Sequence, residues 1–260
     1  MYDNLEVTRD GRGVVTVTLN RPDTRNALNA RMISELTDVA AGLSQDAEAR
    51  VVILRGAGKV FCAGADLTWM QTQIDADRVG RMAEARKLAH MLRALNEMPK
   101  PLIGLIHGGA YGGGVGLASV CDVALATRET RFALTETKLG LIPATIAPYV
   151  LARMGEGAAR RVFFSGRSFD AEEAIHLNLV AQVIELEQVE SALETEVAPY
   201  LSTAPGALGR AKALVRKLGP TIDDTVIEAT IEDLADTWDT EEAAHGIASF
   251  LGKTKPRWQS

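Results

Sequence analysis

Hydrophobic positions in the first half of the chain alternate between short strand-like runs and longer helical patterns. Residues 14–19 alternate and are β-branched, residues 51–54 are wholly apolar, and residues 101–106 form a third apolar run. Apolar side chains recur at helical spacing over 30–43 and 78–97. Because a wholly apolar run of this length is typical of a strand buried on both faces, the pattern predicts an α/β fold with mostly parallel strands.

The later part of the chain is mostly helical by the same criteria. Short strands are predicted over 123–126 and 132–134, after which helical spacing dominates. Pro205 and Pro220 suit the first turns of two of these helices. The predicted helices span residues 144–154, 157–163, 171–177, 187–201, 205–217, 222–238 and 240–251.

Residues 70–80 are polar and charged and show little periodicity. We therefore predict a mobile connection there, between a helix starting near Asp66 and the long helix that follows. Composition shifts only slightly near 200–205. We expect one continuous unit, with a core over residues 1–200 and a helical C-terminal region over residues 201–260.

Two glycine-containing loops each lie between a short apolar run and a helix. The first includes residues 61–66, and the second, residues 108–114, follows the central apolar run. Both loops are expected at the carboxyl edge of parallel strands, where α/β folds place ligands. Backbone N–H groups at a helix N-terminus have no partner within the helix and favour negative charge. The loops therefore predict an oxyanion site made of two converging N–H groups.

Composition argues against several classes of function for this protein. A formal net charge of −6 argues against a general binder of nucleic acid or membrane surfaces. Cys62 and Cys121 lie in apolar surroundings without a C-x-x-C pair, which argues against a disulfide framework and a structural zinc site. No apolar signal core stands at residues 1–13. We expect a cytoplasmic protein that binds no metal, nucleic acid or membrane.

Taken in order and spacing, the motifs resemble the enoyl-CoA hydratase/isomerase (crotonase) family over nearly the whole chain. The matching segments are residues 20–22, 25–28, 61–67, 108–114, 121–122, 132 with 136, and 140–143. The resemblance implies a spiral of ββα units with a helical C-terminal trimerisation region. It also implies an acyl-CoA thioester substrate, no cofactor beyond the coenzyme A of that substrate, and a homotrimer or a hexamer made of two trimers.

The resemblance assigns roles to individual positions. Glu136 matches the second of two family glutamates, while Ala65 and Gly113 match the positions whose N–H groups hold the thioester oxygen. Tyr111 is a candidate for the acyl pocket, or simply packs. The positions implied in coenzyme A binding are Ala63, Asp66, Leu67 and Thr68 in the loop, Arg25 and Ala27 near the nucleotide, and Phe250 and Lys253 in the C-terminal helix that reaches a neighbouring subunit's coenzyme A.

The first family glutamate is missing, because Gly116 stands at its position. Hydration needs one group that takes a proton from water and one that delivers a proton to the α-carbon. A double-bond shift needs only one base. Gly116 therefore favours an isomerase or a specialised hydratase, and we expect it to open space in the pocket. Another carboxylate, such as Glu129, remains an open candidate for the missing one.

Local sequence favours the hydratase. Residues 140–149, 110–113 and 116–117 resemble the bacterial methylglutaconyl-CoA hydratase branch, whose substrates carry a distal carboxylate and include one of leucine degradation. We hypothesise that this carboxylate, or a water that it holds, takes over part of the lost glutamate's role. A 3,2-enoyl-CoA isomerase is the alternative, and a non-catalytic acyl-CoA or RNA binder is the third reading.

Three polar residues near the glycine loops have simpler structural explanations. His107, at the end of the central strand, is expected to be a satisfied structural histidine rather than a base. Asp66 suits an N-cap of the following helix, and Asp122 is expected to orient a turn after the central helix.

Overall fold

The computed structural model describes residues 2–259. Its strands are β1 (Leu5–Arg9), β2 (Val14–Leu19), β3 (Val51–Gly56), β4 (Leu102–Ile106), β5 (Gly109–Tyr111), β6 (Val123–Thr127), β7 (Arg131–Ala133), β8 (Phe169–Asp170) and β9 (Gln182–Ile184). Its α-helices are α1 (Ala30–Gln45), α2 (Leu67–Asp75), α3 (Arg78–Glu97), α4 (Gly113–Val120), α5 (Ala147–Met154), α6 (Glu156–Phe163), α7 (Ala171–His176), α8 (Val189–Leu201), α9 (Pro205–Leu218), α10 (Asp224–Trp238) and α11 (Glu241–Leu251).

Two sheets form the centre of the fold. The larger sheet has the order β1-β2-β3-β4-β6-β9, in which β1 is antiparallel to β2 and the other neighbours are parallel. The smaller sheet has the order β5-β7-β8. The predicted α/β fold with mostly parallel strands is confirmed.

The apolar runs become the most deeply buried strands. All of β4 is buried, and β3 is buried at every position but Arg55. Helix α8 covers one face of the large sheet with an apolar stripe that ends at Val197, while α1 packs on the other face through residues such as Leu36. Helices on both faces explain why these strands lack the polar alternation of a half-exposed sheet.

The C-terminal helices pack back onto the core. Ile227 and Ile231 of α10 form an apolar cluster with Ala85 and Ala89 of α3. Ile247 of α11 packs with other apolar groups against the segment that follows β7. These contacts place α10 and α11 beside the two glycine loops.

Residues 70–80, predicted as a mobile connection between two helices, are themselves mostly helical. Helix α2 continues to Asp75, and α3 begins at Arg78. Asp66 caps α2 by accepting hydrogen bonds from the Thr68 and Trp69 N–H groups, and Asp77 caps α3 through Gly80. Because α2 buries little besides Met70 and Gln73, its apolar periodicity is weak.

Four short strands and one proline position also differ from the predictions. The unpredicted strands are β1, β5, β8 and β9, and the last two interrupt a region predicted as almost wholly helical. Pro205 does begin α9 as expected. Pro220 lies outside a helix, because Asp223 caps α10 and the helix starts at Asp224.

The structural roles predicted for two polar residues are confirmed. His107 Nε2 donates to the Gly58 carbonyl oxygen at 3.1 Å, and burial lowers the pKa of the ring. The Asp122 carboxylate accepts hydrogen bonds from the Leu102 N–H at 2.8 Å and from Lys212 Nζ at 2.6 Å. Asp122 thereby ties the end of α4 to the start of β4 and to α9.

Candidate active site

A cavity of about 430 Å³ lies between the two glycine loops and the helices α3, α10 and α11. Its wall is mainly apolar and includes Leu28, Ile146 and Trp238. The sequence-predicted site residues that line it are Ala63, Ala65, Tyr111, Gly113, Glu136 and Phe250. A cavity of this volume can hold a small organic group.

The two glycine loops are fixed against each other by backbone hydrogen bonds. The Tyr111 N–H donates to the Cys62 carbonyl oxygen at 3.0 Å, and the Cys62 N–H donates to Gly109 at 3.1 Å. On the other side of the first loop, the Leu28 N–H donates to the Gly64 carbonyl oxygen at 2.7 Å. The loops therefore meet as a short parallel pairing at the end of β4, as expected for the carboxyl edge of the sheet.

The two N–H groups predicted to bind the oxyanion are not used in hydrogen bonds within the described part of the chain. Among residues 2–259, the N–H groups of Ala65 and Gly113 donate no hydrogen bond, and both residues line the cavity. Gly113 is the first residue of α4, so the helix itself offers its N–H no acceptor. Two unpaired donors from different loops therefore line the same cavity, and their convergence on one carbonyl oxygen remains a prediction.

Glu136 faces the glycine loop from the 3₁₀ turn Glu136–Leu139. Gly112 has φ +46°, and a Cβ atom there would lie 2.8 Å from Glu136 Oε1. The bare glycine backbone therefore leaves the room that the carboxylate occupies.

The Glu136 carboxylate is held in a state suited to proton transfer. Its Oε2 is buried and has no hydrogen-bond partner in the described part of the chain. Burial raises the pKa of Glu136 to about 7, while the nearby backbone N–H groups of Glu136 and Thr135 act in the opposite direction. A carboxyl group that titrates near neutrality can both accept and return a proton at physiological pH.

Gly116 does not open space, contrary to our expectation. A Cβ atom at this position would lie 2.6 Å from Ile146 Cγ2 and 3.7 Å from Leu92 Cδ1. Apolar side chains of α3 and of the segment before α5 therefore fill the place where a first glutamate would begin. Of the described residues that line the cavity, Glu136 alone carries a carboxylate.

Glu129 does not replace the missing carboxylate in this structure. Its Oε1 accepts a hydrogen bond from Thr127 Oγ1 at 2.8 Å, and Glu129 does not line the cavity. It lies on the turn between β6 and β7.

Several residues predicted for coenzyme A binding lie outside the cavity: Arg25, Ala27, Asp66, Leu67, Thr68 and Lys253. Arg25, at φ +53°, instead braces the first loop, because its carbonyl oxygen accepts the Ala63 N–H at 3.0 Å. Asp66 caps α2, as predicted, and forms an ion pair with Arg21 at 2.9 Å. A role of this group in binding the nucleotide part of coenzyme A remains a prediction.

Sequence reasoning missed a cation in the cavity wall. Arg81, from the first turn of α3, lines the cavity with its Cζ 5.6 Å from the ring centroid of Trp238 in α10. No motif marked either residue, because α3 and α10 meet only through tertiary packing.

Elsewhere, residues 2–259 hold no cluster of three His, Cys, Asp or Glu side chains able to bind a metal ion. Within the same range, no helix is long and apolar enough to cross a membrane.

Comparison with known proteins matches this chain to one family. A family model described as Enoyl-CoA hydratase/isomerase matches residues 9–260. The chain is 30% identical to a short-chain-enoyl-CoA hydratase of Clostridium acetobutylicum, over 97% of this chain and 96% of the relative. It is 30% identical to a 1,2-epoxyphenylacetyl-CoA isomerase of Escherichia coli, over 95% of both chains. A crystal structure of an enoyl-CoA hydratase from Shewanella pealeana is 35% identical, with a TM-score of 0.81 over 99% of this chain and 97% of that one.

Proposed function

Because the chain belongs to the enoyl-CoA hydratase/isomerase family, we propose that it adds water to a 2-enoyl-CoA thioester with a branched or carboxylated acyl group. 3-Methylglutaconyl-CoA, an intermediate of leucine degradation, is the specific candidate. The observation that carries the proposal is a near-neutral carboxyl group, Glu136, in the same cavity as two unpaired backbone N–H donors.

The proposed reaction uses these groups in one sequence. The N–H groups of Ala65 and Gly113 bind the thioester oxygen and stabilise the negative charge that develops on it, each donor contributing about 3 kcal/mol in the transition state. Ionised Glu136 takes a proton from water while the water oxygen bonds to C3. The protonated carboxyl group then returns that proton to C2, so the water is added in full and Glu136 is regenerated.

Because Glu136 performs both proton transfers in the proposed reaction, no second carboxylate of the protein helps to orient the attacking water. Since Ile146 fills the space beside Gly116, the protein itself offers no replacement there. In our proposal, the substrate's distal carboxylate, or a water that it holds, helps to orient the attacking water. This is the reason for preferring a carboxylated acyl group to a simple one.

A 3,2-enoyl-CoA isomerase is the second candidate. Moving a double bond needs one base that removes a proton and returns it two carbons away, and Glu136 is the single carboxylate among the described residues lining the cavity. One of the relatives reported above is itself named as an isomerase. The same oxyanion donors would stabilise the dienolate in that reaction.

The proposal is tested with 3-methylglutaconyl-CoA and crotonyl-CoA in separate assays that follow loss of the conjugated thioester absorbance. We expect rapid loss with the carboxylated substrate only, reduced by a factor of about 10² to 10⁴ in Glu136→Gln. Equal turnover of crotonyl-CoA would contradict the part assigned to the distal carboxylate. Absorbance gained from a 3-enoyl-CoA would identify an isomerase, and binding without turnover would identify a non-catalytic acyl-CoA binder.

We also propose a homotrimer, or a hexamer of two trimers, in the cytoplasm. Leu214, Val215 and Leu218 of α9 are exposed in the single chain by 55%, 68% and 77%, and a shared apolar face of this kind is typical of an interface. The cytoplasmic location is supported by cysteine usage, because Cys62 and Cys121 are both free and buried, and unpaired thiols are usual in a reducing compartment.

A further inference from the structure

Arg81 is an unusual residue for the wall of an apolar cavity. Its side chain is 17% exposed, and its Nε atom is buried without a hydrogen-bond partner in the described part of the chain. A guanidinium nitrogen shielded from water normally finds an acceptor, because an unmet buried donor destabilises the fold. Protein atoms shield Nε, so the donor that Arg81 has left for a ligand is Nη1, which forms no hydrogen bond in the described part of the chain and is not among the buried atoms.

The known contacts of Arg81 leave most of its hydrogen-bonding capacity unused. Nη2 contacts Asp239 Oδ1 at 3.1 Å, and the other oxygen of Asp239 accepts from Arg78 Nη1 at 2.8 Å. Since Arg78 shares Asp239, the carboxylate does not neutralise Arg81 alone. Trp238 lies against the guanidinium and restricts its orientation.

Arg86, in the same helix, forms a purely structural ion pair and serves as a comparison. Arg86 Nε and Nη2 donate to the two carboxylate oxygens of Glu228 at 2.6 and 2.5 Å, and Arg86 does not line the cavity. Both donors on that edge of the guanidinium, Nε and Nη2, are therefore occupied by the carboxylate. In Arg81, by contrast, only Nη2 is paired, so the guanidinium that lines the cavity keeps Nη1 without a hydrogen-bond partner in the described part of the chain.

We propose that Arg81 determines substrate specificity by binding a carboxylate at the end of the acyl chain opposite the thioester. This inference rests on the proposed function, because the thioester end is taken to lie at Ala65 and Gly113. A planar carboxylate matches the guanidinium fork, and the apolar wall around it strengthens the ion pair. The substrate class is an enoyl thioester of a dicarboxylic acid.

Lys138 is the other cation of the cavity wall and provides an internal comparison. It is exposed, and its side chain packs over Gly166, with Cε 3.0 Å from the position of a Cβ there. A lysine in water binds anions more weakly and less directionally than a shielded arginine. The acyl carboxylate is therefore assigned to Arg81 and not to Lys138.

The test uses saturated thioesters, which bind but do not react. Calorimetry would compare glutaryl-, adipyl- and pimelyl-CoA with valeryl-, hexanoyl- and heptanoyl-CoA, first in the wild type and then in Arg81→Met, Arg81→Lys, Lys138→Met and Arg86→Met. We expect the wild type to prefer the carboxylated member of at least one pair by about tenfold or more. Arg81→Met should abolish that preference while still binding the uncharged member, which also shows that the site is folded.

The control variants distinguish a specific effect of Arg81 from a general effect of removing a positive charge. Lys138→Met and Arg86→Met should keep the preference, and Arg81→Lys should recover only part of it because it lacks the fork. A wild type without preference, or a preference that survives in Arg81→Met, would overturn the proposal. Since these ligands do not react, Arg81-dependent binding without hydration of any enoyl thioester would refute the proposed function alone.

Discussion

At the scale of single residues, the burial of Glu136 couples catalysis to stability. Its pKa rises from the ordinary value of 4.5 to about 7 in the folded chain, so the folded state favours the protonated form. The fold is therefore most stable, with respect to this group, below pH 4.5 and loses stability as the pH rises through about 7. At pH values above both pKa values, the ionised group costs ~3 kcal/mol.

Glu136→Gln is accordingly expected to stabilise the fold at alkaline pH. The neutral amide has the same shape, so the free energy of unfolding should rise by ~1–3 kcal/mol at about pH 8 and change little near pH 5. Urea denaturation at fixed protein concentration measures both values. An equal difference between the two proteins at both pH values would contradict the burial argument.

The same pKa predicts the pH dependence of the reaction. Because Glu136 must be ionised to take a proton, kcat/KM should rise about tenfold per pH unit on the acidic side of pH 7 and level off above it. The rate profile with 3-methylglutaconyl-CoA measures this directly. A rate that is constant between about pH 5 and pH 8 would mean that another group is the base.

We expect activity to require Gly112, because the lack of a side chain there leaves room for the Glu136 carboxylate. In Gly112→Ala, the new Cβ would lie 2.8 Å from Glu136 Oε1, at a φ of +46°. The displaced carboxylate should lower kcat by about 10² or more. Gly155→Ala is the matched control, since Gly155 has φ +75° and open space around its Cβ position. Equal kcat losses in both variants would attribute the effect to backbone strain alone.

At the scale of elements, the contact of α4 with the segment before α5 explains how the fold accommodates Gly116. Ile146 is 2% exposed and occupies the space next to the glycine. A glutamate at 116 therefore cannot be introduced without moving Ile146.

A double-mutant cycle tests this packing. Gly116→Ala alone should destabilise by ~1–3 kcal/mol through overpacking, and Ile146→Ala alone by ~2–5 kcal/mol through a cavity. The double variant should lose less than the sum of the two, because the smaller side chain makes room for the new methyl group. Unfolding midpoints in urea measure all three, and simple additivity would show that the two positions do not compete for space.

The sequence predicted the long, deeply buried elements and failed on the short or weakly patterned ones. β3 and β4 were recognisable because helices cover both faces of the sheet. β1 buries Leu5 but exposes the rest of the strand, and β5 has only three residues, so neither shows a usable period. The start of α2 after its cap, Asp66, was predicted, but its continuation to Asp75 was not, because the residues that follow the cap are mostly polar and show little periodicity.

At the scale of the whole molecule, the expected family fold is confirmed. The chain has the crotonase-like architecture of its solved neighbours, and its helical C-terminal region packs on the core. The motifs also predicted the part of the site made by the glycine loops, since Ala65, Gly113 and Glu136 line one cavity. Arg81 was beyond sequence reasoning because it joins this cavity through the packing of α3 on α10.

The proposed trimer predicts a specific effect of a charge on α9. Val215 and Leu218 are exposed by 68% and 77% in the single chain, so Leu218→Glu should place a charge in the interface and shift the mass in solution toward the monomer. Light scattering measures that mass. Leu186→Glu, at an exposed apolar residue outside α9, is the control and should leave the assembly intact. A wild type that is already monomeric would contradict the proposal.

In the proposed reaction, one buried glutamate and two backbone donors are the protein groups that add water to a carboxylated enoyl thioester. The most direct measurement is the mass of the product formed from 3-methylglutaconyl-CoA in ¹⁸O-labelled water. We expect a product heavier by one labelled water, formed by the wild type and lost in Glu136→Gln. A product of unchanged mass with a shifted double bond, or no product at all, would contradict the proposed reaction.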